Sequence, residues 1–115
     1  MLIQIFHNPR CGKSRTCLKI LQESGHTFEI IEYMKQALSP ELIQSTLDRL
    51  GINAEQLLRK NESIYKEKYK DKKHHQNEWI KIMIAHPKLI QRPIIIKGEK
   101  AVIGRPIENL IELLM

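Results

Sequence analysis

The sequence predicts an α/β fold: a βαβ unit, a helical insertion over about residues 39–87, and a closing ββα unit. Three observations carry that expectation. Short apolar runs of strand character stand at residues 2–6, 28–33 and 93–96. The apolar residues between them recur at helical spacing, and glycine or proline marks each change of period. The chain of 115 residues is one domain's length, and no repeat, low-complexity segment or linker divides it, so 1–115 is read as a single domain.

Taken in order, LIQIF at 2–6 is a short, mostly buried strand that ends at Pro9. A helix follows from Cys11, with Cys17, Leu18, Ile20 and Leu21 on its apolar side and Gly25 as its stop. FEIIEY at 28–33 is the second strand, and strand–helix–strand in so few residues implies a parallel pair. Ser39 and Pro40 open the next helix, whose stripe is Leu42, Ile43, Leu47 and Leu50 up to Gly51. Residues 53–60 are expected as a short helix capped by Asn53, and 77–86 as a longer one ending before Pro87. Residues 93–96 and 101–103 form a hairpin around a tight turn at 97–100. Pro106 opens the final helix, with Ile107, Leu110, Ile111 and Leu114 facing inward. That order, with a candidate nucleophile after the first strand, is the thioredoxin-like arrangement.

Composition narrows the function. With 42% hydrophobic and 28% charged residues the chain reads as soluble and globular, and no apolar run approaches the roughly 20 residues of a membrane span. Residues 1–6 lack the basic start and long apolar core of a secretory signal, so a cytoplasmic location is expected. Two cysteines are too few for a disulfide scaffold, which turns attention to their chemistry. The net charge is +6, and residues 59–73 hold seven cations against three acids. A solvated face accounts for such a run. With two Phe, one Trp and three Tyr in the whole chain there is little to stack on bases, and no nucleic-acid partner is expected.

The chemistry concentrates in HNPRCGKSRTC, residues 7–17. A cysteine at a helix N-terminus meets free backbone N–H groups and the positive end of the dipole. His7, Arg10, Lys13 and Arg15 add cationic character, which lowers a thiol pKa, and the Ser14 hydroxyl can donate to the sulfur. The same amides can cradle an oxyanion. Spacing removes several alternatives. A phosphate-binding P-loop needs glycine where His7 stands, a C-x5-R phosphatase loop needs arginine where Cys17 stands, and a CxxC dithiol needs cysteine where Ser14 stands. Cys17 lies about 240° around the helix and ~9 Å along it from Cys11. A disulfide wants Cα atoms within ~7 Å, so Cys17 reads as a small core hydrophobe. His74, His75 and His86 form no ligand spacing with either cysteine, and His26, His74 and His75 read as surface residues, so no metal is expected.

The motif His7-Asn8-Pro9-Arg10-Cys11 followed by Ser14-Arg15 resembles the active-site motif of the glutaredoxin-coupled, glutathione-dependent arsenate reductase family. Leu57-Leu58-Arg59-Lys60-Asn61, His86-Pro87, Leu89-Ile90-Gln91-Arg92-Pro93-Ile94 and Gly104-Arg105-Pro106 resemble its later segments in order and spacing. The resemblance implies Cys11 as nucleophile and Arg59, Arg92 and Arg105 as an oxyanion clamp. His7, Ser14 and Arg15 would then tune and position the thiolate, with Pro93 the candidate cis-proline. Arginine suits the clamp because its planar fork donates bidentate bonds and keeps its charge. The implied reaction takes arsenate to arsenite, with glutathione as co-substrate, glutaredoxin as protein partner, no tightly bound cofactor, and the chain acting as a monomer. Arg10 replaces a small residue of the well-studied branch, and the ending at 102–106 resembles the family's uncharacterised branch.

Two other functions fit parts of the pattern. Spx-type regulators share the fold and bind RNA polymerase, but commonly carry a CxxC switch that Ser14 interrupts. A glutathione-dependent thiol–disulfide oxidoreductase would use the same cysteine with the arginines holding carboxylates.

Overall fold

The computed structural model describes residues 2–115. These fall into two compact units, one made of the chain up to Gln36 together with Arg92–Met115, the other of Ala37–Gln91. No helix among the described residues is long and apolar enough to cross a membrane.

The first unit is a four-stranded sheet in the order β2-β1-β3-β4. Strand β1 (Ile3–Phe6) pairs in parallel with β2 (Phe28–Ile31) and antiparallel with β3 (Ile94–Lys97), which pairs antiparallel with β4 (Lys100–Ile103). The alternation of strand side chains fixes which residues share a face. Ile5 opposes Ile95 in register, and these two with Ile3 meet Cys17 and Leu21 of α1 (Gly12–Ser24) and Leu110 and Leu113 of α4 (Glu108–Leu114). Both helices therefore lie on one face. Phe6, Ile94 and Ile96 point to the other and are buried there, with the Tyr33 ring 6.1 Å from Phe6. The βαβ unit, the ββα unit and the loop carrying Cys11 after β1 make this the thioredoxin-like arrangement.

The second unit holds α2 (Pro40–Leu50) and α3 (Gln76–Ala85), packed on one another. Ser39 caps α2 by accepting from the Leu42 N–H at 3.1 Å, and Gly51 ends it in the left-handed region at φ 71°. The α3 N-terminus is a reciprocal cap between His75 and Glu78.

Several boundaries differ from the sequence reading, each for a local reason. Strand β2 stops at Ile31 because the Tyr33 N–H turns back to the Ile31 carbonyl, which also accepts from His7. Strand β3 begins after Pro93, which has no N–H for the ladder. The short helix expected at 53–60 is a single 3-10 turn, Glu55–Leu57, because Leu58 is extended and bridges antiparallel to Ile90. The start of α4 moves from Pro106 to Glu108, where the Asn109 amide donates to the Ile103 and Arg105 carbonyls at 2.9 and 3.3 Å. That shift turns Ile111 outward, 45% exposed, and gives Leu113 the core position instead. His74 is half-buried rather than fully on the surface: its ring lies 4.7 Å from Trp79, edge-on, beside Tyr69.

Candidate active site

Cys11 is the N-cap residue of α1, with extended backbone, and so stands at the helix end whose first-turn amides lack intrahelical partners. It is 7% exposed. Arg105 Nη2 donates to its sulfur at 3.3 Å, while Arg105 Nε donates to the Arg92 carbonyl at 2.7 Å. The second bond holds the guanidinium plane in place for the first. The Arg92 guanidinium is close enough to lower the thiol pKa, and its Nε is buried with no hydrogen-bond partner. The Arg92–Pro93 peptide bond is cis, as is Arg105–Pro106.

Burial alone pushes the Cys11 thiol up, but the Ser14 backbone N–H and the Arg92 and Arg105 guanidinia outweigh it, and the pKa falls below the ordinary thiol value. The Ser14 contribution differs from the expected hydroxyl donation. Ser14 Oγ accepts from the Asn8 N–H at 3.0 Å and lies 2.6 Å from His7 Nδ1, so the hydroxyl is occupied and the backbone amide serves the sulfur. His7 is buried, which pushes its pKa down; Glu32 raises it and Arg15 lowers it, for a net fall. It is thus neutral at neutral pH and no cationic neighbour of the thiolate. With its proton on Nε2, His7 receives the Ser14 proton at Nδ1, an assignment made from this network. Arg15 acts on the loop, donating from Nη1 to the Pro9 carbonyl at 2.9 Å.

The structure thus gathers Cys11, His7, Ser14, Arg15, Arg92, Pro93 and Arg105 in one unit. Arg59 belongs to the other, where Nη1 pairs with Glu62 at 2.9 Å and its backbone N–H donates to the Leu89 carbonyl. Cys17 is fully buried with a free thiol, its sulfur 3.8 Å from the Gly104 carbonyl, and burial raises its pKa.

Two residues near the thiol escape sequence reasoning. Tyr33 is fully buried, and its hydroxyl has no hydrogen-bond partner although Asn8 approaches it. Burial pushes its pKa up to about 12, while the charges of Arg92 and Arg105 pull it down. Gly104 donates to the Pro93 carbonyl at 2.8 Å, and a Cβ there would stand 2.7 Å from Cys17 Sγ and 2.9 Å from Pro93 Cγ. Only glycine fits, and it sets the chain that carries Arg105. The sequence names it only within the Gly104-Arg105-Pro106 segment, and its packing role emerges with the fold.

Beside Cys11 an open depression of about 620 Å³ is bordered by Lys13, Thr16 and Lys19 of α1 and by Arg105. Among the described residues no cluster of three His, Cys, Asp or Glu side chains could hold a metal ion.

The ArsC family is matched over residues 6–113. An arsenate reductase from Haemophilus influenzae is 39% identical over 116 residues, covering 99% of this chain and 100% of that protein. An uncharacterised Escherichia coli protein, YfgD, is 38% identical over 113 residues, with 96% of this chain and 95% of that protein covered. The solved arsenate reductase from Vibrio cholerae superposes with a TM-score of 0.90 at 35% identity, covering 97% of each chain. With the family matched over nearly its whole length, the chain belongs to the ArsC family.

Proposed function

We propose that the protein reduces arsenate to arsenite through the Cys11 thiolate, with glutathione and glutaredoxin as electron donors. The observation that carries this reading is the Arg105 guanidinium held 3.3 Å from a sulfur at a helix N-terminus. The thiolate there forms more readily than that of a free cysteine, and the donors that stabilise it are also suited to bind an oxyanion.

In the proposed reaction the Cys11 sulfur attacks arsenic and one arsenate oxygen leaves as water after protonation. Arg92 and Arg105 neutralise charge on the remaining oxygens. The glutathione thiol then displaces a second oxygen as water, giving an S–As–S adduct. Water returns one oxygen to arsenic as the two sulfurs join in a Cys11–glutathione disulfide, so arsenic(V) leaves as arsenic(III). Glutaredoxin takes the glutathione from that disulfide by thiol exchange and restores Cys11; overall two thiols give up two electrons and arsenate loses one oxygen as water. The second thiol comes from outside, because Cys17 is buried in the core. Assignment of Arg59 to the same clamp rests on the family motif and is tested by Arg59→Ala. A single-domain monomer working in the cytoplasm completes the reading.

The test is turnover of arsenate by purified protein with glutathione and glutaredoxin. Activity requiring Cys11 and both donors is the expected result. Turnover that survives Cys11→Ser would overturn the nucleophile, and turnover indifferent to glutaredoxin would overturn the coupling.

A further inference from the structure

The depression beside Cys11 is larger than an oxyanion requires. Its volume is about 620 Å³, whereas four oxygens around one centre fill the space of a few waters at about 30 Å³ each. The surplus is walled by α1, where Lys13, Thr16 and Lys19 stand on successive turns, and no Asp or Glu lines it.

The charges on that wall are placed against ordinary helix preference. The first turn of α1 contains no acidic residue and carries Lys13 at the positive end of the dipole, an arrangement that costs stability. Arg15 is tied to the Pro9 carbonyl, and Arg105 to the Arg92 carbonyl and the sulfur. Lys13 and Lys19 are exposed and have no carboxylate within ion-pair distance among the described residues. Two uncommitted cations therefore border a cavity that opens onto the nucleophile. The chain's second thiol, on Cys17, is fully buried, so a reductant of Cys11 must enter from solvent.

We propose that this wall is the docking subsite for the carboxylates of an external thiol reductant, with Lys13 and Lys19 selecting anionic thiols over neutral ones. Glutathione, with two carboxylates, is of this class. Its role as a reductant rests on the reductase reading above; its binding here does not.

S-methylglutathione keeps both carboxylates and cannot react, so it probes the subsite alone. Titrated into wild-type protein, it should shift the amide resonances of α1 around Lys13, Thr16 and Lys19. In K13E/K19E, whose exposed positions tolerate charge reversal, its affinity should fall at least fivefold. The ratio of Cys11 carboxymethylation by anionic iodoacetate to alkylation by neutral iodoacetamide should drop several-fold in the same variant. This ratio cancels any change in thiolate fraction. Equal binding by both proteins, no binding to wild type, or an unchanged alkylation ratio would each overturn the subsite. Arsenate turnover with an unaltered KM for glutathione in K13E/K19E would sink the subsite and leave the reductase standing. Binding without arsenate turnover would do the reverse.

Discussion

At the scale of single residues, the site is a balance between burial, which opposes the Cys11 thiolate, and three donors that favour it. Removing one donor should tip that balance visibly. Iodoacetamide labelling of Cys11 against pH should give a midpoint below that of an unperturbed thiol, and Arg105→Ala should move it upward. The same variant should lose on the order of 10²-fold in arsenate turnover, as expected for one lost oxyanion donor. Arg105→Lys keeps the charge without the fork, so it should restore the midpoint better than the turnover. Tyr33 gives a different expectation. Its hydroxyl is buried without a partner, so Tyr33→Phe should leave stability unchanged or raise it by about 1 kcal/mol, read by urea unfolding. A loss above about 1 kcal/mol would show that the hydroxyl has a partner. The sequence marks Cys11 because Pro9, the helix start and the nearby cations are all local. Tyr33 and the occupied Ser14 hydroxyl depend on which distant groups close over them, and no spacing rule reports that.

At the scale of elements, α1, β3 and the segment after β4 converge on Gly104. A Cβ there would come within 2.7 Å of Cys17 Sγ, 2.9 Å of Pro93 Cγ and 3.2 Å of Ile95 Cδ1. Gly104→Ala should therefore destabilise by about 1–3 kcal/mol through overpacking, and shift the Cys11 midpoint upward by displacing Arg105. Adding Cys17→Ala should recover part of the loss, because it removes the closest atom; purely additive effects would show that the crowding lies elsewhere. Element boundaries were legible where a cap residue stands at the break, as at Ser39-Pro40 and Gly25. They were illegible where a distant partner decides. Leu58 leaves its expected helix to bridge Ile90, and Asn109 delays α4 by serving two carbonyls of the preceding chain. The run at 59–73 reads as a solvated charged face, yet Tyr65 and Tyr69 pack onto Trp79 from within a π-helical turn, Tyr65–Tyr69.

At the scale of the whole molecule, protonation couples the site to folding. His7 is held neutral, so its unfolded form gains protons first as pH falls below about 6.5 and stability declines. Cys11 titrates lower in the fold than in the unfolded chain, so it contributes stability above the unfolded thiol pKa that is lost as pH falls through the folded one. The urea midpoint should therefore be lower at pH 5 than at pH 7. Between pH 7 and 9 wild type should gain stability relative to Cys11→Ser, a difference that cancels the opposing loss from Cys17, whose raised pKa disfavours the fold as pH rises. A wild-type midpoint equal at pH 5 and 7, or no change in that difference from pH 7 to 9, would contradict the corresponding shift. The sheet order was legible in part: the parallel β1–β2 pair follows from strand–helix–strand, whereas β1 beside β3 joins segments that no local pattern links. That junction matters beyond architecture. Cys11 and Arg105 stand 94 positions apart and touch only because β1 and β3 are neighbours. A nascent chain emerging from the ribosome displays its cysteine long before the Arg92 and Arg105 guanidinia exist. Through that interval the sulfur can draw only on local help such as the Ser14 amide. The two long-range donors arrive with residues 92–105, so part of the nucleophile's activation waits for the β1–β3 junction to form.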